Sequence, residues 1–335
     1  MSRRILVTGA AGFLGHHFVE SVLRTSDWEV VGLDRLDGTA TWSRLLHLDA
    51  YREAGTLRLV WHDLKSAIPS YVEHEIGEIT DIVHFAASSH VDRSIVSPMS
   101  FVMDNVVGTC NLLEFAQKSR PSITRFINFS TDEVFGPSEP GVEYAEWARY
   151  ASSNPYAASK AGAEELGVAF FRTYGVPVVT THCSNAYGER QHPEKFIPKC
   201  IRNILQGFPV QVHTTPDGTV TRRQYVHARN VAAALRFLLE KGKPGDKYNI
   251  VGADVDNLAL TEFIAKILGR PVVTELVVPG ERPGVDGAYS MSGRTLEALG
   301  YEHPKGFQES LRKTVEWSVA HREWILLGPA QSKGA

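Results

Sequence analysis

Residues 4–15 read Arg4-Ile-Leu-Val-Thr-Gly9-Ala-Ala-Gly12-Phe-Leu-Gly15. The first five residues are a short apolar, β-branched run, and apolar side chains recur at helical spacing over residues 16–23. Glycines between a strand and a helix let the backbone turn tightly and approach a pyrophosphate at the helix N-terminus. A glycine turn that binds nothing is the alternative, but the strand–turn–helix order favours a dinucleotide site. The residues assigned to it are Gly9, Gly12, Phe13, Leu14 and Gly15.

The second strand of the chain ends on an acid. The run at residues 28–33 is followed by Asp34, nineteen residues after Gly15. A carboxylate at this point accepts hydrogen bonds from the hydroxyls of an adenosine ribose and repels a 2′-phosphate. Arg35 follows at once and carries the charge to pair with such a phosphate. The sequence therefore favours NAD over NADP as a ligand without excluding NADP.

Three further apolar runs, at residues 57–61, 79–85 and 126–129, predict strands. The five strands alternate with helical patterns, which indicates an α/β fold with a Rossmann-type, doubly wound parallel sheet. Ligands bind such sheets at the carboxyl ends of the strands. There we expect contacts with an adenine edge and with a flat ligand or diphosphate. The residues at these positions are Asp63, Leu64, Ala86 and Ala87.

A hydroxyl and two carboxylates directly follow the fifth apolar run. Residues 129–136 read Phe-Ser-Thr131-Asp132-Glu133-Val-Phe-Gly. Burial raises the pKa of a carboxyl group, and an acid–base catalyst works best with a pKa near the working pH. Two neighbouring acids in unequal surroundings are suited to act as one proton donor and one proton acceptor. Taken alone, such a pair is more typical of a solvated turn.

A tyrosine and a lysine share one face of a predicted helix. Asn154-Pro155 opens this helix, since proline suits the first turn, where its missing N–H costs nothing. Tyr156 and Lys160 follow four residues apart. A lysine at this spacing lowers the pKa of a phenol by charge proximity, which would make Tyr156 a usable base. A surface pair is the alternative for these two residues alone.

The composition argues against several classes of protein. Among 335 residues, 35 basic and 38 acidic side chains leave a net charge of -3, which gives no reason to expect nucleic-acid binding. Three cysteines without C-x-x-C spacing argue against a disulfide framework and against a metal site. We find no leader-like segment and no run of the ~18 apolar residues that a membrane span needs. We expect a cytoplasmic protein that binds neither membrane nor nucleic acid.

In combination, these motifs resemble the extended short-chain dehydrogenase/reductase family over essentially the whole chain. The matching features are the spaced glycines, Asp34, Asn105, Ser130-Thr131 and Tyr156-x-x-x-Lys160. The resemblance implies tightly held NAD and hydride transfer from C4 of a sugar to this cofactor. It also implies that Tyr156 takes a proton from the sugar hydroxyl and that Lys160 positions the nicotinamide ribose.

Within this family, residues 130–136 resemble the nucleotide-sugar 4,6-dehydratases, above all those that act on dTDP-glucose. By this resemblance Asp132 protonates the departing C6 hydroxyl, Glu133 takes the C5 proton, and Thr131 hydrogen-bonds the oxygen at C4. Oxidation at C4 acidifies C5–H, water leaves across C5–C6, and the hydride returns to C6. Such a reaction serves deoxysugar biosynthesis of the rhamnose type.

The resemblance also implies a site for a nucleotide-diphosphate sugar, with Arg223 and Arg282 on the diphosphate, a role suited to a forked guanidinium. The substrate residues it implies are Ser89, His90, Asn185, Lys195, Arg223 and Arg282. Departures from the family pattern surround the nucleotide, so UDP-glucose and other nucleotide sugars stay open as substrates. The departures are the loop at residues 213–222, Ser88, Val285 and Gly287.

Two other functions remain open on the same fold. A nucleotide-sugar 4-epimerase would keep the tyrosine and lysine but would have little use for the acidic pair. A non-catalytic protein that binds NAD and a nucleotide sugar would need neither pair. The intact Tyr156/Lys160 and Asp132/Glu133 pairs therefore favour the dehydratase.

The order of the motifs predicts an NAD-binding Rossmann domain over residues 1–184, completed by about 222–250. Residues 185–221 and 251–330 then form a smaller C-terminal α/β lobe that binds the substrate, and 331–335 a frayed tail. The family resemblance implies a homodimer in which helices starting near Met103 and Tyr156 pair across a two-fold axis. Small residues on them permit close packing but are equally suited to face the sheet: Gly108, Ala157, Ala158, Ala161 and Ala163.

Overall fold

The structure is a computed structural model that describes residues 3–37, 40–46, 57–119, 121–139, 141–278 and 288–326. Within these residues the strands form one large and two small sheets. The strands are β1 (Arg4–Thr8), β2 (Glu29–Asp34), β3 (Leu57–Trp61), β4 (Asp81–His84), β5 (Arg125–Thr131), β6 (Val178–Cys183), β7 (Asn185–Tyr187), β8 (Val210–His213), β9 (Arg222–His227), β10 (Lys247–Ile250), β11 (Ala253–Asp256) and β12 (Thr274–Val277).

The helices of the same residues are α1 (Phe13–Thr25), α2 (Trp42–Leu46), α3 (Ser70–Ile76), α4 (Val91–Val96), α5 (Pro98–Phe101), α6 (Gly108–Lys118), α7 (Pro155–Tyr174), α8 (Phe196–Gln206), α9 (Ala228–Lys241), α10 (Asn257–Leu268), α11 (Arg294–Ala298), α12 (Phe307–Ala320) and α13 (Glu323–Leu326). A π-helical stretch (Val102–Val107) joins α5 to α6, and a short 3-10 helix (Asp132–Phe135) follows β5. None of these described helices has the length and apolar character that crossing a membrane requires.

The large sheet is parallel throughout, with strand order β3-β2-β1-β4-β5-β6-β10. The chain begins at the centre, runs out to β3, and returns to β4 to build the other half. This order confirms the predicted Rossmann-type, doubly wound sheet. It also brings the carboxyl ends of β1, β2, β4 and β5 to one edge.

Both faces of this sheet are covered, and alternate residues of β1 supply the two cores. Ile5 and Val7 pack with helices α1 and α9 on one face. Leu6 packs on the other face with α3 and α6. Since neighbouring side chains of a strand point to opposite faces, the apolar run predicted at residues 4–8 is buried on both sides.

The predicted strands at residues 4–8 and 57–61 coincide with β1 and β3. β5 extends two residues beyond the predicted apolar run, because Ser130 and Thr131 continue the ladder by pairing with His182 and Cys183 of β6. The polar turn that we expected after Phe129 therefore begins as strand. Its first two residues are held as firmly as the apolar ones before them.

A smaller lobe lies beside the large sheet and contains β7, β9 and β11 in one sheet and β8 with β12 in another. Ile201, Ile264 and Leu311 are in its core. A smaller C-terminal α/β lobe is thus confirmed as part of the fold. Helix α9 and strand β10 lie with the large sheet, whereas β9 pairs with β7 and β11. The predicted boundaries at 184/185 and 221/222 stay predictions, and the tail at 331–335 is outside the described residues.

Candidate active site

The glycine turn after β1 leaves no room for side chains. Gly9 has φ +69°, and a Cβ atom there would lie 2.8 Å from the backbone nitrogen of Ala86. A Cβ atom on Gly15 would lie 2.1 Å from the carbonyl oxygen of Gly9. No side chain caps the N-terminus of α1 at Gly12. The turn is therefore a bare backbone cradle at a helix N-terminus, which suits the diphosphate of a dinucleotide.

One cavity of about 820 Å³ opens at this edge of the sheet. All of the residues that we assigned to the cofactor line it, although they come from five separate stretches of the chain. They are Gly9, Gly12, Phe13, Leu14, Gly15, Asp34, Asp63, Leu64, Ala86, Ala87, Tyr156 and Lys160. Ser89, His90 and Lys195 from the expected substrate site line the same cavity.

Asp34 lies at one end of the cavity, and its carboxylate is fixed by the backbone. Its Oδ2 accepts a hydrogen bond from the Ala11 N–H at 3.0 Å and its Oδ1 one from the Leu36 N–H at 2.9 Å. Burial nevertheless raises its pKa. Both oxygens keep lone pairs for further donors, as ribose hydroxyls would require.

Asn105 lies in the π-helical stretch and joins two walls of the cavity. Its Oδ1 accepts from the Ser88 N–H at 2.8 Å, and its Nδ2 donates to the Ser88 carbonyl oxygen at 3.0 Å. Nδ2 also lies 2.8 Å from the Ser159 hydroxyl, which in turn donates to the carbonyl oxygen of Tyr156. One amide thus fixes the segment after β4 relative to helix α7.

Helix α7 begins as predicted and carries the tyrosine and the lysine on one face. The Asn154 side chain caps it by accepting from the Ala157 N–H at 2.9 Å, and Pro155 occupies the first position. Tyr156 and Lys160 are both buried at the cavity wall. The helix therefore places both side chains where the cofactor and substrate regions meet.

The pKa of Tyr156 moves in the direction opposite to our expectation. Burial raises it, and the negative charges of Glu133 and Asp132 raise it further. Lys160 instead donates to the carbonyl oxygen of Phe129 at 2.7 Å, and burial lowers its own pKa to about 8. Activation of the phenol by Lys160 alone is thus weaker than the four-residue spacing suggested.

Asp132 and Glu133 lie in unequal surroundings. Thr131 caps the 3-10 helix and donates to Asp132 Oδ1 at 3.0 Å. The other oxygen of Asp132 is buried and has no hydrogen-bond partner among the described residues. Burial, and then the charge of Glu133, raises the pKa of Asp132 to about 7. Glu133 is less buried and accepts from Asn154 Nδ2 at 3.0 Å.

The acidic pair is near Tyr156 but does not line the main cavity. Hydrogen bonding with Thr131 lowers the pKa of Tyr156 against the larger upward effect of burial. Burial lowers the pKa of Lys195. The negative charge of Glu133 has the second-largest effect and raises that pKa. The segments that carry Glu133, Tyr156 and Lys195 are therefore close enough for their charges to interact, beside the cavity that Tyr156 and Lys195 line.

The predicted substrate residues fall into two groups. At the cavity, His90 Nε2 lies 3.0 Å from Glu194 Oε2, and Lys195 contacts the carbonyl oxygen of Ser89 at 3.5 Å. Arg223 is outside the cavity lining, over the Tyr289 ring at 5.0 Å, and its charge lowers the pKa of Asp132 against the larger effect of burial. Asn185 is also outside the lining, and Arg282 lies outside the described residues.

Glu164 is a buried carboxylate one helical turn beyond Lys160 and was not among the predicted site residues. Its partners are Ser130 Oγ, Tyr150 Oη at 2.5 Å, His182 Nε2 at 2.9 Å and Lys247 Nζ at 3.4 Å. Burial alone would raise the pKa of Glu164, but His182, Lys247 and Ser130 outweigh it and lower the pKa to about 2. The signal in the sequence was the Tyr156, Lys160, Glu164 spacing, which places all three on one helix face.

Comparisons with known proteins point to one family. A family model described as the NAD dependent epimerase/dehydratase family matches residues 5–251. The chain is 39% identical to a dTDP-glucose 4,6-dehydratase of Streptomyces niveus, over 99% of this chain and 98% of that protein. A crystal structure of a dTDP-glucose 4,6-dehydratase from Streptomyces venezuelae with NAD bound is 36% identical, with a TM-score of 0.87, and the match covers 96% of this chain and 98% of that one.

A plant relative is longer than this chain. The chain is 36% identical, over 96% of its length, to a trifunctional UDP-glucose 4,6-dehydratase/3,5-epimerase/reductase of Arabidopsis thaliana. It spans only 48% of that protein, about half its length. The glycine cradle, the Tyr156/Lys160 pair and these matches lead to one assignment. The chain belongs to the NAD dependent epimerase/dehydratase family.

Proposed function

We propose that the chain is an NAD-dependent nucleotide-sugar 4,6-dehydratase that converts dTDP-glucose to dTDP-4-keto-6-deoxy-glucose. The single observation that carries the proposal is the acidic pair beside Tyr156. Asp132 is buried with a pKa of about 7, and Glu133 is next to it in a more exposed position. An elimination of water across C5–C6 needs one acid and one base at the same pH, and this pair supplies both.

The residues present fit NAD as the cofactor. The bare glycine cradle accepts a diphosphate, and Asp34 at the other end has lone pairs for ribose hydroxyls. Bound NAD would supply a hydride acceptor for oxidation at sugar C4 and would return the hydride at C6. Because the reaction restores the cofactor, NAD would not need to leave the cavity between turnovers.

Tyr156 and Lys160 act in the oxidation. Tyr156 takes the proton of the C4 hydroxyl as the alkoxide character develops, and Lys160 places a positive charge beside it. The pKa of Lys160, lowered to about 8 by burial, leaves it mostly protonated at pH 7. Burial and the acidic pair raise the pKa of Tyr156. The phenol therefore needs further positive charge nearby in order to lose its proton, and bound oxidised NAD would supply it.

Asp132 and Glu133 act in the elimination. With a pKa of about 7, Asp132 is about half protonated at pH 7 and can donate to the leaving C6 hydroxyl. Glu133 takes the proton from C5, which the C4 ketone has acidified. Thr131, which donates a hydrogen bond to Asp132, is proposed to contact the C4 oxygen. Both proton transfers of the elimination thus use side chains within two residues of the end of β5.

The substrate is proposed to enter beyond the nicotinamide end of the cavity, past Ser89, His90 and Lys195. Arg223, whose charge reaches Asp132, is the described cation proposed for the substrate diphosphate, with Asn185 on the neighbouring strand β7. Arg282 remains part of the proposal from the sequence alone. The names of the Streptomyces relatives support dTDP as the nucleotide, whereas the plant relative is named for UDP-glucose.

The deciding experiment incubates the protein with dTDP-, UDP-, CDP- and GDP-glucose and follows the products by mass spectrometry. Loss of one water, with solvent deuterium at C5, is the expected result, fastest for dTDP-glucose. A product that keeps its C6 hydroxyl and is inverted at C4 would make the chain a 4-epimerase instead. No turnover of any nucleotide hexose by NAD-loaded protein would favour a non-catalytic binding protein.

We also propose that the chain works as a cytoplasmic homodimer. Val96, Met99, Val102 and Met103 form an exposed apolar face on α4, α5 and the π-helical stretch. Of the small residues named for the interface, four are buried within the chain and Ala158 is exposed; the buried ones are Gly108, Ala157, Ala161 and Ala163. The apolar face is therefore what supports the dimer. Met99→Glu should convert a dimer to a monomer in light scattering, and a monomeric wild type would contradict it.

A further inference from the structure

Arg35 follows Asp34 at the end of the cavity assigned to the adenosine ribose. From sequence alone it was a candidate for binding the 2′-phosphate of NADP. In the structure its guanidinium bonds two other carboxylates. Nη1 and Nη2 donate to the two oxygens of Asp104 at 2.5 and 3.0 Å, and Nε and Nη2 donate to Asp37 at 3.0 and 2.7 Å.

Asp104 comes from a different part of the chain and is itself held in place. It lies in the π-helical stretch next to Asn105, and its Oδ2 accepts from the Ser88 hydroxyl at 2.6 Å. Only 10% of its side chain is exposed, against 35% for Asp37. The bidentate pair therefore fixes Arg35 from the opposite wall of the cavity rather than from its own loop.

This pair also sets the balance of charge at this end of the cavity. The charged residues that line the cavity there are Asp34, Asp37, Asp63, Asp104, Arg35, Arg44 and Lys65. Among the described residues they are four carboxylates against three cations. Lys65 is paired with Asp63 at 3.2 Å. Without Asp104 the two signs would be equal in number among these residues, so removing its carboxylate would remove the excess of negative charge.

We propose that Asp104 is a specificity-determining residue for the cofactor, which selects NAD against NADP by holding Arg35 and by adding negative charge at the ribose end of the cavity. The inference rests on the proposed NAD site. A 2′-phosphate that recruited Arg35 would have to break its bonds to two carboxylates. It would then leave both carboxylates beside a further dianion, which their mutual repulsion opposes.

The proposal assigns the two acids of this site separate tasks. Asp34 meets the ribose, and its carboxylate is fixed by the N–H groups of Ala11 and Leu36 rather than by a cation. Asp104 does not need to touch the cofactor to act. It keeps the neighbouring arginine from turning toward a phosphate. Replacement of Asp104 should therefore change the choice between two dinucleotides more than the affinity for NAD.

The test compares wild type with Asp104→Asn, which keeps an acceptor for Ser88 but removes the charge. Each purified protein is equilibrated with equal concentrations of NAD and NADP until the bound ratio is constant, and the bound dinucleotides are quantified by mass spectrometry. We expect the bound NADP/NAD ratio to rise about tenfold or more in Asp104→Asn. Adding Arg35→Gln should abolish most of that rise.

A matched control is Glu114→Gln, which removes one charge from an exposed position further along the same helical segment, in α6. It should leave the bound ratio unchanged. Asp104→Ser gives a second measurement with a smaller side chain. An unchanged ratio in both Asp104 variants, or a rise that persists with Arg35→Gln, would overturn the proposal while the NAD site stands. Wild type that bound neither dinucleotide would instead refute the proposed function, and the inference with it.

Discussion

Asp132 and Glu164 are both buried carboxylates near the N-terminal half of helix α7, yet their pKa values are shifted in opposite directions. Burial raises the pKa of Asp132 to about 7, with one oxygen unpartnered. Glu164 is as deeply buried, but Lys247, His182, Ser130 and Tyr150 surround it, and its pKa falls to about 2.

The difference shows that partners, and not depth, decide what a buried carboxylate does. A carboxylate with cations and donors on all sides stays ionised and holds parts of the fold together. One left short of partners keeps a proton available near neutral pH. Glu164 thus fixes β5, β6, β10 and α7 to one another, whereas Asp132, directly after the same strand β5, is the carboxyl group that we propose for proton transfer.

The largest expected effect comes from removing the proton of Asp132. Asp132→Asn should slow formation of the dehydrated product by about 10³-fold, the usual range for a general acid. Oxidation at C4 should continue, so that reduced cofactor accumulates in single-turnover absorbance measurements. Glu133→Gln should stall at the same stage, because the C5 proton then has no acceptor.

Circular dichroism of both variants controls for folding. If both folded and both lost the hydride step, the acidic pair would belong to the oxidation and our assignment of its role would be wrong.

Removing the charge of Glu164 should cost stability instead. Glu164→Gln leaves Lys247 buried without its counter-charge and removes the carboxylate partner of His182, so we expect the free energy of unfolding at pH 7 to fall by about 3 kcal/mol. Denaturant unfolding measures this loss. The charge-matched exposed variant Glu165→Gln, one residue further along α7, should change the free energy by less than about 0.5 kcal/mol. If Glu164→Gln and Glu165→Gln lowered the free energy of unfolding equally, Glu164 would not be the carboxylate that holds these strands together.

The two carboxyl groups should also give opposite pH dependence of stability. The raised pKa of Asp132 means that the folded state binds its proton more tightly than the unfolded state. The stabilisation that this proton gives the folded state is fully present below pH ~4, which is the pKa of the carboxyl group in the unfolded chain. It is lost as the pH rises through about 7. Glu164, with its pKa lowered to about 2, contributes above pH ~4.5 and loses that contribution as the pH falls toward 2.

Between pH 5 and pH 8, Asp132→Asn should therefore gain about 2 kcal/mol of stability relative to wild type. Glu164→Gln should show no such change in this window, since Glu164 is ionised throughout it. Denaturant unfolding at the two pH values measures both. A flat difference for Asp132→Asn would indicate that the carboxyl group is ionised in the folded protein at pH 5.

The smallest expected effect tests one partner of Glu164. Ser130→Ala removes a single hydroxyl donor and should lower the free energy of unfolding by about 1 kcal/mol, leaving Lys247 and His182 in place. The same denaturant measurement applies. A loss as large as that of Glu164→Gln would show that the hydroxyl, rather than Lys247 and His182, holds this carboxylate.

Much of the site was predictable because its signals are local. The glycine turn, Asp34 after β2 and the Tyr156/Lys160 spacing each need only a few consecutive residues and a predicted element. The partners of Glu164 were not predictable in this way: Lys247 is 83 residues away in the sequence, and only the pairing of β10 with β6 brings it near. The binding of Arg35 by Asp104, across 69 positions, is of the same kind.

The pKa of Tyr156 was misjudged for a related reason. The four-residue spacing to Lys160 was correct, but spacing does not indicate burial or the other charges in reach. Burial and, after it, the charges of Glu133 and Asp132 raise the pKa of Tyr156. Short-range patterns thus predict which side chains meet, whereas their electrostatics depend on everything that the fold adds around them.

The π-helical stretch at Val102–Val107 has a consequence for how this site tolerates insertion and deletion. The Gly108 N–H bonds the carbonyl oxygen of Met103, five residues back, so this turn holds more residues than an α-helical turn. Deleting one residue here would convert this turn to the α-helical pattern and redirect the side chains inside it, while α5 and α6 keep their orientation. Asp104 and Asn105 would then face away from Arg35 and Ser88. The number of residues in this turn therefore matters as much as the identity of Asp104 and Asn105, because a one-residue deletion should break their contacts even where both side chains are retained.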